Sequence, residues 1–233
     1  MGCNDLAREL PESIGKLQNL ESLDLHGNKL SLLPSSLREL VNLRILKLSE
    51  NRFSYLPIES LASLPLVEIY ASSNALTGAL FPSSVVNLPR LQVLEVANNA
   101  IASLSFSREL VLPALHHLDV SNNRLSALPD VSTWKSLLTL LAEGNALTHL
   151  PEGFTALQHL RNANFGRNDL RGLNTEVARM GALEVLVLLG NPLREKKYLT
   201  MPTEDLKSYL AKRSLPPGLV GESGMEGVIM RTR

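Results

Sequence analysis

Apolar residues recur along this chain in one pattern, L-x-x-L-x-L-x-x-N-x-L, in which other apolar residues sometimes replace leucine. Leu20, Leu23, Leu25, Asn28 and Leu30 make the first match, and seven further matches follow it. Successive asparagines of the pattern are 22 to 25 residues apart. They are Asn28, Asn51, Asn74, Asn99, Asn123, Asn145, Asn168 and Asn191. Repetition at this period predicts a solenoid of stacked units that share one continuous core.

The spacing of the leucines predicts a β-strand in each unit. The two apolar residues of L-x-L lie two positions apart, so both point to one face of a strand while their neighbours point to the other. We therefore expect an α/β fold with a parallel sheet on the concave side of an arc, eight full repeats, an N-terminal half repeat and a C-terminal helical cap. An asparagine amide can donate and accept, so the eight asparagines should form a ladder that satisfies backbone groups buried at the turns.

A second motif follows the asparagine and predicts the outer side of each unit. Leu33-Pro34 and Leu150-Pro151 place a proline, which fixes φ and lacks an N–H, where the chain leaves the strand layer. Two units deviate from this motif. The run TGALFP after Asn74 predicts an outward bulge, and the run ASLSFSRELVLP in the following unit predicts a different outer loop.

These motifs resemble the intracellular leucine-rich-repeat family with 23-residue L-x-x-L-P-x-x-L-x-x-L units. That family includes Ras-pathway scaffold proteins, plant Ras-group-related proteins and proteins of the leucine-rich-repeat-containing protein 40 type. The resemblance covers residues 4 to about 213. It implies a curved solenoid that binds other proteins and has no catalytic site of its own. The repeat motif is specific for the fold, whereas it does not specify a partner.

A helix is predicted to close the C-terminal end of the repeats. The segment TEDLKSYLAKR has Thr203 as its predicted N-cap, acids in its first turn and basic residues in its last. Leu206 and Leu210 would cover the open end of the core. We divide the chain into a partial repeat (1–19), a solenoid (20–195), a cap helix (196–213) and a tail or linker (214–233).

The first residues, MGCNDL, raise the question of a lipid anchor, because Gly2 and Cys3 are the residue types that carry myristoyl and palmitoyl groups. A myristoylation signal prefers Ser or Thr at position six, where this chain has Leu6. Counting back 24 residues from the first ladder asparagine gives Asn4, so Met1 falls inside a strand. We therefore expect no membrane anchor and interpret the chain as a fragment or shortened product, whose open N-terminal edge favours self-association or fraying.

Composition narrows the classes of partner. The 233 residues include 23 basic and 23 acidic ones, so the net charge is zero and gives no electrostatic drive toward nucleic acid or an anionic membrane. No run approaches the ~18 apolar residues of a membrane span. The single cysteine cannot form an internal disulfide and favours a reducing compartment, so we expect a cytoplasmic protein.

The exposed face of the predicted sheet carries most of the candidate binding residues. Five acids against Lys47 give this face a formal charge of −4, since five negative charges minus one positive leave four. The acids are Asp24, Glu68, Glu95, Asp119 and Glu143. An aromatic ring among acids suits an Arg or Lys side chain of a partner. We therefore predict that a basic segment of a protein partner binds at Glu68, Tyr70, Glu95, His117 and Asp119.

The other end of the same face is predicted to be apolar. Leu141 projects from the strand of LLTLLAEGN, and Val185, Val187 and Leu189 project from that of EVLVLLGNPL. Exposed apolar strips usually mark contacts. The sequence leaves three alternatives for this apolar surface. The tail after residue 213 covers it, a protein partner binds it, or it is simply exposed to solvent.

Three residues of the exposed face raise catalysis or metal binding as an alternative to protein binding. His117, Asp119 and Glu95 have the residue types of a metal site or an acid–base pair, but no further ligand type completes a cage. No glycine-rich phosphate loop is present. We therefore predict a non-enzymatic scaffold or adaptor with a role in signalling and without a metal or cofactor. The alternative is the recognition segment of a larger enzyme or enzyme complex, such as a cyclase, phosphatase or ubiquitin ligase.

Overall fold

Parallel strands run through the described part of the chain. The computed structural model describes residues 9–81, 88–105, 110 and 112–214, so the predicted strand at Met1 and most of the predicted tail lie outside it. Its ten strands are β1 (Ser22–Asp24), β2 (Ile45–Lys47), β3 (Glu68–Tyr70), β4 (Thr77–Phe81), β5 (Val93–Glu95), β6 (Ala100–Ser105), β7 (His117–Asp119), β8 (Thr139–Leu141), β9 (Asn162–Asn164) and β10 (Val185–Val187). Within these residues, β4 pairs with β6, and the other eight strands form one parallel sheet in chain order. The predicted repeat fold is confirmed.

The core lies beneath this main sheet because alternate strand residues point inward. Each strand of the main sheet buries its middle residue and leaves both flanking residues at least partly exposed. Leu23 is paired with Leu46 on the next strand, and Leu25 and Leu48, two positions further on, are completely buried. We call the exposed side of the main sheet the concave face.

Short helices form the outer side of the repeats. The 3-10 helices are Glu12–Lys16, Ser35–Glu39, Phe154–Ala156, Thr175–Arg179 and Lys196–Leu199, and the α-helices are α1 (Ile58–Ala62) and α2 (Thr203–Ser214). Pro34 and Pro57 each stand immediately before one of these helices, so the Leu-Pro step is where the outer helix begins. None of the helices in the described ranges is long and apolar enough to cross a membrane.

The ladder asparagines connect each unit to its neighbour. Asn123 Nδ2 donates to the carbonyls of Val96 (3.0 Å) and Val120 (3.0 Å). Its Oδ1 accepts from the Ile101 N–H at 3.0 Å, and both Val96 and Ile101 belong to the preceding unit. The same bonds across units are made by Asn51, Asn74, Asn99, Asn145, Asn168 and Asn191. Asn28 donates to two carbonyls of its own unit.

The turn at each ladder asparagine requires a left-handed backbone. The residue before every one of these asparagines has φ between 51° and 84°. The set is Gly27, Glu50, Ser73, Asn98, Asn122, Gly144, Arg167 and Gly190. Gly144 also has a packing reason to lack a side chain, because an added Cβ would collide with Asn122 Oδ1. Glycine and asparagine tolerate this conformation best, which explains why they occur at five of the eight positions.

The two irregular units form a second small sheet that the sequence pattern did not predict. β4 and β6 pair in parallel, with a register shift between Gly78 and Ala79. Residues 77–81 of the first run and 102–105 of the second are extended strands, so the predicted outer loop is wrong for residues 102–105. The outward bulge of the first run stays a prediction. Neither run has a proline directly after its first leucine, so the backbone N–H groups remain available for pairing.

The helix α2 closes the last repeat, although not in the way predicted for Thr203. Leu206 N donates to Pro202 O at 2.9 Å, so Pro202 is the N-cap and Thr203 is the first helical residue. Thr203 Oγ1 instead accepts from the N–H of Leu186 at 2.9 Å. β10 is the last strand of the main sheet, so the N–H of Leu186 has no neighbouring strand to which it could donate. The hydroxyl of Thr203 is its acceptor instead. Leu206 and Leu210 are completely buried against the core.

Removing one ladder amide should destabilise the repeat array. Asn123→Ala leaves two carbonyls and the Ile101 N–H without their side-chain partner, so we expect the free energy of unfolding to fall by about 1–3 kcal/mol. Urea denaturation followed by circular dichroism measures this change. Asn162→Ala, on the exposed side of β9, is the control and should cost less than ~0.5 kcal/mol. Equal losses in the two variants would contradict the structural role of the ladder.

Candidate functional site

One row of side chains crosses the concave face in register. Asp24 is paired with Lys47, Lys47 with Tyr70, Tyr70 with Glu95, and Glu95 with Asp119. All five are partly exposed. Adjacent strands are ~4.8 Å apart, so neighbours in the row can interact directly. We call the central group the acidic patch, which consists of Glu68, Tyr70, Glu95, His117 and Asp119.

Tyr70 is held in the acidic patch by its own strand. Its hydroxyl donates to Glu68 Oε2 at 2.9 Å, and Lys47 Nζ lies 5.7 Å from the centre of the ring. The pKa of Tyr70 is raised to about 12, chiefly by burial and in addition by the hydrogen bond to the Glu68 carboxylate. The ring is therefore fixed in orientation and already meets one cation of the chain itself, a contact that the sequence pattern did not reveal.

The surroundings of Glu95 oppose the ionisation of its carboxyl group. Burial raises the pKa of the Glu95 carboxyl above its ordinary value, and the carboxylates of Asp119 and Glu68 raise it further. His117 Nε2 lies 3.6 Å from Glu95 Oε1 and acts in the opposite direction. A cation brought to this point by a partner would favour the charged form of Glu95.

Two acids of the row also have a structural task. Asp24 Oδ1 accepts from the His26 N–H at 3.0 Å, and Asp119 Oδ1 accepts from the Ser121 N–H at 2.9 Å. Asn164 makes the same bond to its own chain two residues on, to the N–H of Gly166 at 2.9 Å. A short side chain with an acceptor oxygen at this position of the strand therefore accepts a hydrogen bond from an N–H group that the main sheet does not pair. Asp24, Asp119 and Asn164 occupy equivalent positions of their strands, and this recurrence in the sequence could have indicated the shared hydrogen bond.

The apolar end of the concave face lies on β8 and β10. Val185 and Leu189 are 46% and 60% exposed, while Leu141 and Val187 are partly exposed. We call these four residues the apolar strip. Leu141 is paired with Asn164, which is paired with Val187, so one polar strand separates the two apolar ones.

Glu143, the fifth acid predicted on this face, is neutralised locally. Its Oε2 accepts from Asn164 Nδ2 at 2.9 Å, and its Oε1 lies 3.5 Å from Arg167 Nε. Arg167 stands in the turn after β9, outside the strand register, so assigning faces by alternation could not find it. The acidic character of the concave face is therefore concentrated in the acidic patch and Asp24.

No group of three or more His, Cys, Asp or Glu side chains within the described ranges is arranged to hold a metal ion. His117 and Glu95 do lie near each other, but Asp119 is directed to the backbone of Ser121. The face is open, and its side chains display charge and apolar surface. A parallel sheet of stacked units, joined by an asparagine ladder and offering one exposed face, defines the class of leucine-rich-repeat proteins.

Comparisons with known proteins agree with this class. The family model described as Leucine Rich Repeat matches residues 19–40, 42–64 and 114–134. The solved structure of the Leptospira interrogans LRR protein LIC12759 has a TM-score of 0.74 and 31% sequence identity, and the match covers 84% of this chain and 49% of that chain. These findings support the leucine-rich-repeat family, and they do not single out the Ras-pathway or protein 40 branch. A search among curated proteins found no match.

Two further solved structures share the fold. The LRR ectodomain of the plant membrane receptor kinase GASSHO1/SCHENGEN3 from Arabidopsis thaliana, solved in complex with CASPARIAN STRIP INTEGRITY FACTOR 2, has a TM-score of 0.66 and 26% identity over 83% of this chain and 26% of that chain. A chain of the octameric complex of Latrophilin 3, Unc5D and FLRT2 has a TM-score of 0.65 and 24% identity over 80% of this chain and 59% of that chain. This chain therefore spans between a quarter and three fifths of the length of the three neighbours.

Tyr70 should ionise well above the ordinary pKa of a tyrosine. Its pKa of about 12 lies above the ordinary value near 10, so the stabilisation of its neutral form is fully present below pH ~10 and is lost as the pH rises toward 12. The absorbance of tyrosinate during a pH titration, taken as the difference between the natural chain and Tyr70→Phe, measures this pKa. Glu68→Gln should lower it. A Tyr70 pKa near 10 in the folded chain would contradict the described environment.

Proposed function

We propose that this chain is a non-catalytic protein-binding module that takes its partner on the concave face. Two observations from the comparisons support this: the matched family is a repeat family, and one structural neighbour is an ectodomain solved with a bound protein factor. The observation that carries the proposal is the division of the concave face into an acidic patch and an apolar strip. Such a face offers contacts to a partner and no enclosed site for a reaction.

The partner chemistry follows from the spacing of these two areas. Between Glu95 on β5 and Val187 on β10 there are four strand intervals, or ~19 Å at the usual strand separation. A partner segment with one or two Arg or Lys residues and, about 6 residues further along an extended chain, apolar side chains would reach both areas. The eight strands span roughly 34 Å, which is enough for an interface of ~800 Å² on each side.

The raised pKa of Glu95 gives the proposal a pH signature. A partner cation stabilises the charged form of this carboxyl, so partner binding is linked to loss of a proton from Glu95. Affinity should therefore weaken as the pH falls through the acid range in which Glu95 becomes protonated. The signalling role and the cytoplasmic location stay predictions that rest on the family resemblance and the cysteine content.

A second candidate is the recognition segment of a larger enzyme. One structural neighbour favours this candidate. It is the leucine-rich-repeat ectodomain of a protein that is named as a receptor kinase. Both candidates use the concave face in the same way. They differ in whether a catalytic domain is joined to these repeats, which the length of the natural gene product decides.

Removing the charges of the acidic patch should weaken binding of a basic partner. The probe is a peptide selected on this chain from a randomised displayed library, and we expect Lys or Arg together with apolar residues to be enriched. Glu95→Gln with Asp119→Asn keeps side-chain shape and the Asp119 acceptor while removing two charges. Fluorescence anisotropy should show at least ~10-fold weaker binding.

The matched control is Glu152→Gln with Asp130→Asn on the outer side. Asp130 Oδ1 accepts from the Ser132 N–H at 2.8 Å, so this pair removes the same charge and keeps the same kind of acceptor. It should leave the peptide affinity unchanged. Equal effects of the two double variants, or selected peptides without basic residues, would refute the acidic patch as the binding site.

The occupant of the apolar strip can be tested by shortening the chain. A chain that ends at Arg213 lacks the predicted tail, of which residues 215–233 lie outside the described residues. If the tail covers Val185 and Leu189, truncation should increase both the fluorescence of a dye that binds apolar surface and the affinity for the selected peptide. Unchanged dye fluorescence and peptide affinity would exclude the tail and leave a partner or simple solvent exposure as the alternatives.

A further inference from the structure

A cavity of about 410 Å³ opens on the outer side of the last two repeats, apart from the concave face. Three arginines line it, namely Arg171, Arg194 and Arg213. Its volume lies in the range of small-ligand sites. The single acid of its lining is Glu195, so the formal charge of the lining is three minus one, or +2.

Two of these arginines lie next to each other. The Arg194 N–H donates to Arg171 O at 3.2 Å, which places the two residues on adjacent turns of the solenoid. Both are exposed, and neither has an ion-pair partner among the residues that the structure describes. Two guanidinium groups that line one cavity repel each other, and a bound anion would offset that repulsion.

The position of these arginines within the repeat is informative. Arg171 and Arg194 each stand three residues after a ladder asparagine. In the six earlier units this position holds a small uncharged residue or threonine, namely Ser31, Ser54, Thr77, Ala102, Ser126 and Thr148. The repeat itself therefore does not require arginine at this position. A positive charge at this position occurs only in the last two units of the solenoid.

The third arginine is held in place by the cap helix. Arg213 Nη1 donates to Glu195 Oε1 at 2.5 Å and to the Tyr198 hydroxyl at 3.2 Å. Hydrogen bonding from Arg213 lowers the pKa of the Glu195 carboxyl, and Lys197 Nζ lies 3.5 Å from the same group. Glu195 is thus neutralised by two cations, so it does not cancel the charge of Arg171 and Arg194.

We propose that this cavity is a binding site for a phosphate dianion, either free or as a phosphate monoester. A guanidinium donates two parallel hydrogen bonds to phosphate oxygens, and two arginines on adjacent turns can grip one group from two sides. The buried Tyr198 and Leu193 also line the cavity, and Arg213 is held there by its hydrogen bonds to Glu195 and Tyr198. This site is independent of the concave face, so its failure would leave the protein-binding proposal untouched.

Two probes test the site and distinguish its sources. Inorganic phosphate and N-acetyl-O-phosphoserine amide are titrated at pH 7.5, where both are mostly dianions, while the arginine side-chain Nε–Hε signals are followed by NMR. Saturable shifts with phosphate alone identify a site for the free ion. Saturable shifts with both probes identify a site that also accepts a phosphate monoester. No saturable shift of the Arg171 and Arg194 signals with either probe would overturn the proposal.

Charge-matched variants locate the binding. Arg171→Gln with Arg194→Gln should weaken phosphate binding at least ~10-fold, because both gripping groups are lost. Arg52→Gln with Arg124→Gln removes the same charge from exposed positions elsewhere and should leave the affinity unchanged. Equal weakening in both double variants would show unspecific attraction and overturn the proposal.

A third variant tests the site without removing an arginine. Gly172 lines the cavity, and a Cβ added there would meet no heavy atom within 4 Å. Gly172→Glu therefore places a competing carboxylate at the site while leaving the packing unchanged, and thermal unfolding checks that the fold is intact. We expect a loss of phosphate affinity comparable to that of the double arginine variant. An unchanged affinity in a folded Gly172→Glu chain would contradict the proposed location.

Discussion

The structure depends on the hydrogen bonds that each ladder asparagine makes at the end of a strand. The chain must turn there in a left-handed conformation, and the turn leaves carbonyl and N–H groups inside the protein where water cannot reach them. One amide meets this demand, because it donates to carbonyls of two units and accepts an N–H from the earlier one. The spacing of the repeats, and with it the register of the main sheet, is therefore linked to these bonds.

The same demand for backbone partners shapes the surfaces on which function is proposed. On the concave face, the carboxylates of Asp24 and Asp119 satisfy N–H groups of their own chain, so they have a structural role beside any role in binding. At the end of the sheet, Thr203 supplies the acceptor that a ninth strand would have supplied for Leu186. A side chain that seems available for a partner can thus already be part of the fold.

Charge is sorted along a chain that is neutral overall. The acidic patch occupies the centre of the concave face and the apolar strip occupies its C-terminal end. Arg171 and Arg194 line the outer cavity beside α2. Each area is built from equivalent positions in successive units, because neighbouring units bring equal positions close together. The solenoid therefore converts small differences between repeats into separate surfaces.

The sequence by itself determined the period, the buried leucines, the ladder and the order of residues along the concave face, because each unit contacts mainly its neighbours and alternation assigns the faces. Only the tertiary structure decided contacts that lie outside this local rule. One such contact is the pairing of β4 with β6. It forms because two neighbouring units that lack the Leu-Pro step bring their irregular runs side by side. Arg167 reaches Glu143 from a turn, and Arg213 joins Arg171 from a helix far along the chain. Such contacts depend on how side chains meet in space, which periodicity does not encode.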